Sequence, residues 1–196
     1  MLALLALRPL SMALDRHERE DSRPASMKFF TAQWAHGSEL SEEEQNAVFS
    51  AYATHVNGLL PALPATIHAL ARGVDPHDGL LRGVTLDRPR RRLALGLRCG
   101  ELQKGYFDID LIYQDVALAD SNLAELSVIA RDPKAEALYD EVDAGGASLW
   151  VHRILFWPFR EVSFSFRALA MHLEPREDRV FDRLEDPYVE IPDGAV

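Results

Sequence analysis

His77 and Asp78 stand side by side, and an imidazole next to a carboxylate is a pairing from which water-activating metal sites are built. Metal-dependent phosphohydrolases that use such a doublet need further histidines and an aspartate on surrounding helices. Here the residues that follow turn extended, and a turn capped by Asp78 before Gly79 accounts for the pair without an ion. Asp108 and Asp110, two positions apart on one strand face, have a spacing that suits a divalent ion or a division of acid and base work. A third group collects Asp140, Glu141 and Asp143 ahead of His152, and Asp140 or Asp143 would reach that histidine if their strands are hairpin neighbours. His55 and His68 lack a second ligand at helical spacing. There is no phosphate-cradling glycine loop, no dinucleotide fingerprint and no serine elbow. No catalytic residue is assigned on these patterns, and no metal or cofactor is expected. His77, Asp78, Asp108, Asp110, Asp140, Glu141 and His152 stand as candidate binding residues, with a metal-dependent hydrolase using His77 and Asp78 as the alternative to a binding role.

The elements that must position these side chains start with two runs, 93–99 and 107–113, which alternate apolar and polar residues in step. They read as an antiparallel hairpin with Leu93, Leu95, Leu97 and Cys99 in one inward row and Phe107, Ile109, Leu111 and Tyr113 in the other. Pairing row to row sets Cys99 opposite Phe107 and Arg98 opposite Asp108, because a slip of one residue would bury the charges. Asp108 thereby has a cross-strand partner before any chemistry is invoked. Cys99, the sole cysteine, points inward among leucines and reads as an unreactive small hydrophobe.

Ahead of the hairpin, Ser41 and Glu44 form a capping box, and Val48, Tyr52, His55, Val56 and Leu59 follow at helical spacing until Pro61. Phe29, Phe30 and Trp34 are expected to pack on that helix. Pro64 and Gly73 bracket a second, shorter helix, and the chain then turns extended, with a strand end at 84–86. Ser121 is expected to cap a short helix through Ala130. Strands follow at 137–142 and 149–157, the second apolar on both faces and so central, and Val162, Phe164 and Phe166 alternate inward along a third. The alternation breaks at Ala168 and Leu169, which predicts a bulge or a change of face. Residues 1–26 read as a loose arm or an upstream extension ahead of Met27, residues 27–173 as one domain, and residues 174–196 as a flexible acidic tail in which 188–191 could pair with a sheet edge.

With 196 residues and a formal net charge of -10, the chain can bury a substantial core but has the wrong sign for sequence-independent nucleic-acid or anionic-membrane binding. Its one basic cluster, Arg88 to Arg92 around Pro89, reads as a solvated turn. The phrases Met27-Lys28-Phe29-Phe30-Thr31 with Trp34, His77-Asp78, Cys99-Gly100 into Gly105-Tyr106-Phe107-Asp108, and Tyr139-Asp140-Glu141 before His152-Arg153 resemble the DUF4085-like group of bacterial domains over about 27–173. The resemblance implies no activity. By analogy, similarly built small acidic bacterial domains look like immunity proteins encoded near toxins. The expectation is therefore an α+β fold, with N-terminal helices on an antiparallel sheet of about five or six strands, in a cytoplasmic bacterial protein. Its role would be non-enzymatic binding of a basic protein partner, with aromatic anchors such as Trp150 or Phe159.

Overall fold

The computed structural model describes residues 26–37, 40–146 and 148–195, and it has an α+β architecture built on one sheet. The expected arm over 1–26 falls, apart from Ser26, outside the described residues. At the centre is the hairpin of β2 (Arg92–Glu101) and β3 (Gly105–Gln114), which pairs Cys99 with Phe107 and Arg98 with Asp108. Its inward rows are buried apart from Phe107, which is half-buried. Burial pushes the Cys99 thiol up to about 12, as befits an inert thiol. Gly100 closes the hairpin end at φ +107°, where a Cβ would stand 2.2 Å from the Gly105 carbonyl oxygen, so only glycine fits.

Among the described residues eight strands form, not five or six. β1 (Gly79–Asp87), β4 (Glu136–Ala144), β5 (Trp150–Phe156), β6 (Arg160–Phe166) and β7 (Ala168–Arg176) join the hairpin in the order β6-β5-β4-β1-β2-β3-β7, with β8 (Tyr188–Ile191) beside β1. β6 and β7 lie at opposite ends of that order, yet Arg167 alone separates them in sequence. One continuous stretch therefore pairs first with β5 and then with β3, and the sheet closes on itself around a shared core. The seam is stitched where Arg167 N donates to Gln114 O at 3.0 Å and where Ala117 pairs with Ser165. The broken alternation at Ala168 marks this exchange of partners. Every residue of β5 is buried, as its two apolar faces predicted.

The boundary expected at residue 173 falls inside β7, which runs on to Arg176. Beyond it, Arg98 donates to the carbonyls of Asp178 and Val180, at 3.2 and 2.6 Å, and β8 then runs parallel to β1 over Val84–Asp87. There it fills the length of β1 that β4, paired only at Gly79 and Leu80, leaves open. The pairing of 188–191 with the sheet is realised, and Tyr188 is buried.

α1 (Ala32–Ala35) and α2 (Glu42–Leu59) precede the sheet, as does α3 (Ala65–Gly73), but α4 (Asp120–Arg131) lies between β3 and β4, so the helices are not all N-terminal. α2 opens on the expected capping box, with Ser41 Oγ accepting from Glu44 N at 3.2 Å and Glu44 Oε2 from Ser41 N at 2.8 Å. Ser121 does not cap α4; Ala119 occupies the cap without a side-chain bond, and Asp120 meets the positive helix end instead. α3 and α4 place Ile67, Leu70, Leu126 and Ile129 in the main core. Met27, Phe30 and Leu155 centre a second cluster, where Phe29, Trp34 and the α2 residues Val48 and Tyr52 pack on the outer face of β4 and β5. No helix among the described residues is long and apolar enough to cross a membrane.

Candidate functional site

β4 carries a bulge. Ala137 pairs with Phe156 and Tyr139 with Leu155, so Leu138 is an extra residue and the alternation shifts by one. The shift decides which carboxylate faces which way. Asp140 and Val142 now share the inner face with His152 and Ile154 of β5, while Tyr139, Glu141 and Asp143 face outward. The acidic group that looked like one constellation is thereby split between the two sides of the sheet.

On the inner side, His152 Nε2 lies 3.0 Å from Asp140 Oδ2 and His152 Nδ1 lies 2.7 Å from the Tyr113 hydroxyl. A carboxylate can only accept, so Nε2 carries a hydrogen, and in the neutral imidazole Nδ1 then accepts from the Tyr113 hydroxyl. Burial, reinforced by the Asp140 charge, raises the Tyr113 hydroxyl far above its ordinary value and keeps its proton in place. Phe164 and Phe166 meet the Tyr113 ring edge-on, with centroids 4.7 and 5.0 Å away, and seal the far end of this relay. Its near end opens outward: Asp140 lines a cleft of about 610 Å³.

The cleft lies where α2, α3 and the loop into β1 meet β4. Phe30, Phe49, Tyr52 and Tyr139 form an aromatic wall, with the Phe30 and Tyr139 rings stacked at 5.2 Å. Leu70, Ala71, Val74 and Pro76 face them, and Asp75, His77 and Arg72 stand at the rim. The Arg72 guanidinium is turned to α2, where Asn57 Oδ1 and the Ala53 carbonyl accept from it. The wall is fixed from behind, because the Tyr52 hydroxyl accepts from Val142 N at 2.9 Å.

His77 and Asp78 form the turn before β1, closed by Gly79 N donating to Pro76 O at 2.9 Å. Asp78 takes φ 55°, a conformation aspartate tolerates. A Cβ on Gly79 would stand 2.8 Å from Cys99 Sγ, so glycine lets this turn sit down on the sheet. The His77 ring packs on Tyr139, with centroids 4.9 Å apart, and its Nδ1 bonds the carbonyl of the bulged Leu138. Asp108 is buried among Arg82, Arg98 and Arg176: Arg98 grips both oxygens, Arg176 donates to Oδ2 at 2.7 Å, and Arg82 lies 3.2 Å away. Asp110 is half-exposed, 3.9 Å from Arg82. Glu141 accepts the backbone N–H groups of Lys28, Phe29 and Phe30 at 2.8, 2.6 and 2.8 Å, which hooks the segment before α1 onto β4. Asp143 takes Lys28 and Arg153, with His55 Nε2 at 3.2 Å. The candidates therefore separate: His77 and Asp140 meet at the cleft and His152 stands behind it, whereas Asp108, Asp110 and Glu141 serve other contacts. Among the described residues no three His, Cys, Asp or Glu side chains gather in a way that could hold a metal ion.

No protein-family model, curated protein or solved structure matches the chain.

Sequence patterning missed the aromatic wall as a site, since Phe30 and Tyr52 read only as packing, Tyr139 entered only through the resemblance, and Phe49 carried no signal. It missed Tyr113 as a polar group for the same reason. A signal was present there, because a tyrosine in a fully inward row needs a partner for its hydroxyl. Trp150, named as an aromatic anchor, is buried in β5, and Phe159, named with it, stacks on His36 at 4.3 Å.

Proposed function

We propose that this chain is a cytoplasmic, non-enzymatic interaction module, bacterial as the DUF4085-like phrases imply, that binds a basic protein partner through the cleft beside the β4 bulge. The observation that carries the reading is the cleft itself: an aromatic wall with the Asp140 carboxylate within it and Asp75 at its rim, on a chain of net charge -10. Aromatic faces attract cations, and an acidic surface draws a basic partner in and disfavours acidic ones. An immunity-like role, with a basic toxin as partner, is one form of this reading. The hydrolase alternative gains nothing from the geometry, because His77 and Asp78 serve a turn and His152 has both ring nitrogens engaged by Tyr113 and Asp140.

Isothermal titration calorimetry of the full chain with a lysine- and arginine-rich peptide, against a glutamate-rich peptide of equal length, tests the proposal. Binding of the basic peptide alone, weakened as salt rises, is the expected result. Equal binding of both peptides, or of neither, would overturn it.

A further inference from the structure

Resting on the basic-partner reading, we infer that Asp140 anchors one N–H-bearing cationic side chain, a lysine ammonium or an arginine guanidinium, and that Tyr113 and His152 are positioning residues that hold its carboxylate ready. Asp140 Oδ2 is taken by His152, whereas Oδ1 accepts no hydrogen bond among the described residues and the side chain lines the cleft. A carboxylate with a free oxygen in a partly apolar recess gains most from a donor that also carries positive charge. Phe30 and Tyr139 add attraction for a cation, and Leu70, Val74 and Pro76 offer a surface on which the methylene stem of lysine or arginine can lie. The basic side chains that already line the cleft are otherwise engaged: Arg72 is turned to Asn57, and His77 bonds the Leu138 carbonyl.

The relay is the part of this arrangement that a simple acidic cleft would not need. Asp140 can face inward only because the bulge at Leu138 shifts the alternation, and once inward it meets a histidine whose other nitrogen is filled by a tyrosine buried across the core. The imidazole can turn only if the Tyr113 hydroxyl releases it, so the direction of the Asp140 carboxylate is set from inside the sheet. The ligand thereby meets an oxygen that is already oriented, which reduces the ordering cost of binding.

Calorimetric titration of the full chain with a lysine-rich peptide that contains no arginine, and with the same peptide carrying trimethyllysine in place of lysine, tests the assignment. Trimethylation keeps the charge and the attraction to aromatic rings but removes every side-chain N–H donor of such a peptide. The wild-type chain is expected to bind the trimethylated peptide at least about tenfold more weakly. D140N should weaken binding of the unmodified peptide by a similar factor and bind both peptides alike. Y113F should lower affinity by a smaller factor while its far-ultraviolet spectrum stays unchanged. Equal affinity of the wild type for both peptides, or wild-type affinity in D140N, would overturn the anchor role and leave the basic-partner reading standing. Unchanged affinity in Y113F alongside a loss in D140N would overturn the positioning role alone. Failure of the wild type to bind any basic peptide would sink both readings. If D140N does not fold, the two peptides on the wild-type chain still decide the anchor.

Discussion

Asp108 and Arg98 show how far burial changes the meaning of a charge pair. On an exposed hairpin their pairing would contribute about 0.2–1 kcal/mol. Here the two side chains are 3% and 7% exposed, so deleting Asp108 strands the buried Arg98 charge, whereas deleting Arg98 leaves Asp108 to Arg176 and Arg82 but frees the two carbonyls that Arg98 holds beyond β7. Asp108→Ala is expected to cost about 3–5 kcal/mol in urea unfolding and Arg98→Ala less, and the double mutant to cost clearly less than their sum. Additive losses would mean that the pair is not coupled. The acid limb of stability carries the same signature. Burial alone would raise the Asp108 carboxyl, but hydrogen bonds from Arg98 and Arg176 and the charge of Arg82 hold it below its ordinary value. Asp143 is likewise lowered against its burial, chiefly by Lys28. Depressed carboxyls contribute stability that is present above their unfolded value of about 3.9 and lost as pH falls through the lower folded value. Unfolding free energy should therefore drop below about pH 4, and Asp108→Asn should start lower at pH 7 and show a shallower drop. A parallel acid limb in that variant would reject Asp108 as its source.

At the scale of elements, β4 joins the two halves of the site through opposite faces. Its outward Glu141 hooks the backbone of Lys28, Phe29 and Phe30, and this places Phe30 against Tyr139 and α2 to build the cleft wall. Glu141→Gln keeps the shape but loses the charge and one acceptor, so the segment should loosen at a cost of about 1.5–3 kcal/mol. Hydrogen exchange at the amides of Phe29 and Phe30 should accelerate while exchange in β2 and β3 stays slow; if all regions accelerate together, the hook is part of the global fold and not a local clasp. The elements themselves were largely legible. The Ser41–Glu44 box, the hairpin register and the doubly apolar β5 all express local rules, periodicity and capping, that hold wherever the element ends up. The bulge at Leu138 was not legible, because nothing in Ala137-Leu138-Tyr139 distinguishes it from a regular strand. The facing of Asp140 depends wholly on it.

Across the whole molecule, the closure of the sheet explains why the C-terminal residues matter. A sequence reading ends the domain at 173, and on that reading a chain spanning 27–173 would fold cooperatively. In the structure such a chain loses Arg176 from Asp108, the carbonyls of Asp178 and Val180 from Arg98, and β8 with its buried Tyr188 from the edge of β1. Truncation after Leu173 is expected to lower the urea midpoint by an amount equal to several kcal/mol, or to cause aggregation through the exposed β1 edge. A truncated chain as stable as the full one would show that β8 and the segment before it contribute no net stability.

By itself the sequence determined which faces of β2, β3 and β5 are apolar, where α2 begins, how β2 registers on β3, and that Cys99 is an inert core residue. These follow from spacing and side-chain type over a few residues. Tertiary structure alone decided that β6 hands over to β7 across Arg167 and closes the sheet, that β8 completes β1, and that the acidic run on β4 divides between its two faces. It alone brought Tyr113 to His152, 39 positions away, and Phe30 to Tyr139. Periodicity reports that a side chain is buried but not against what, and pairings between distant segments are set by how one closed core can be filled.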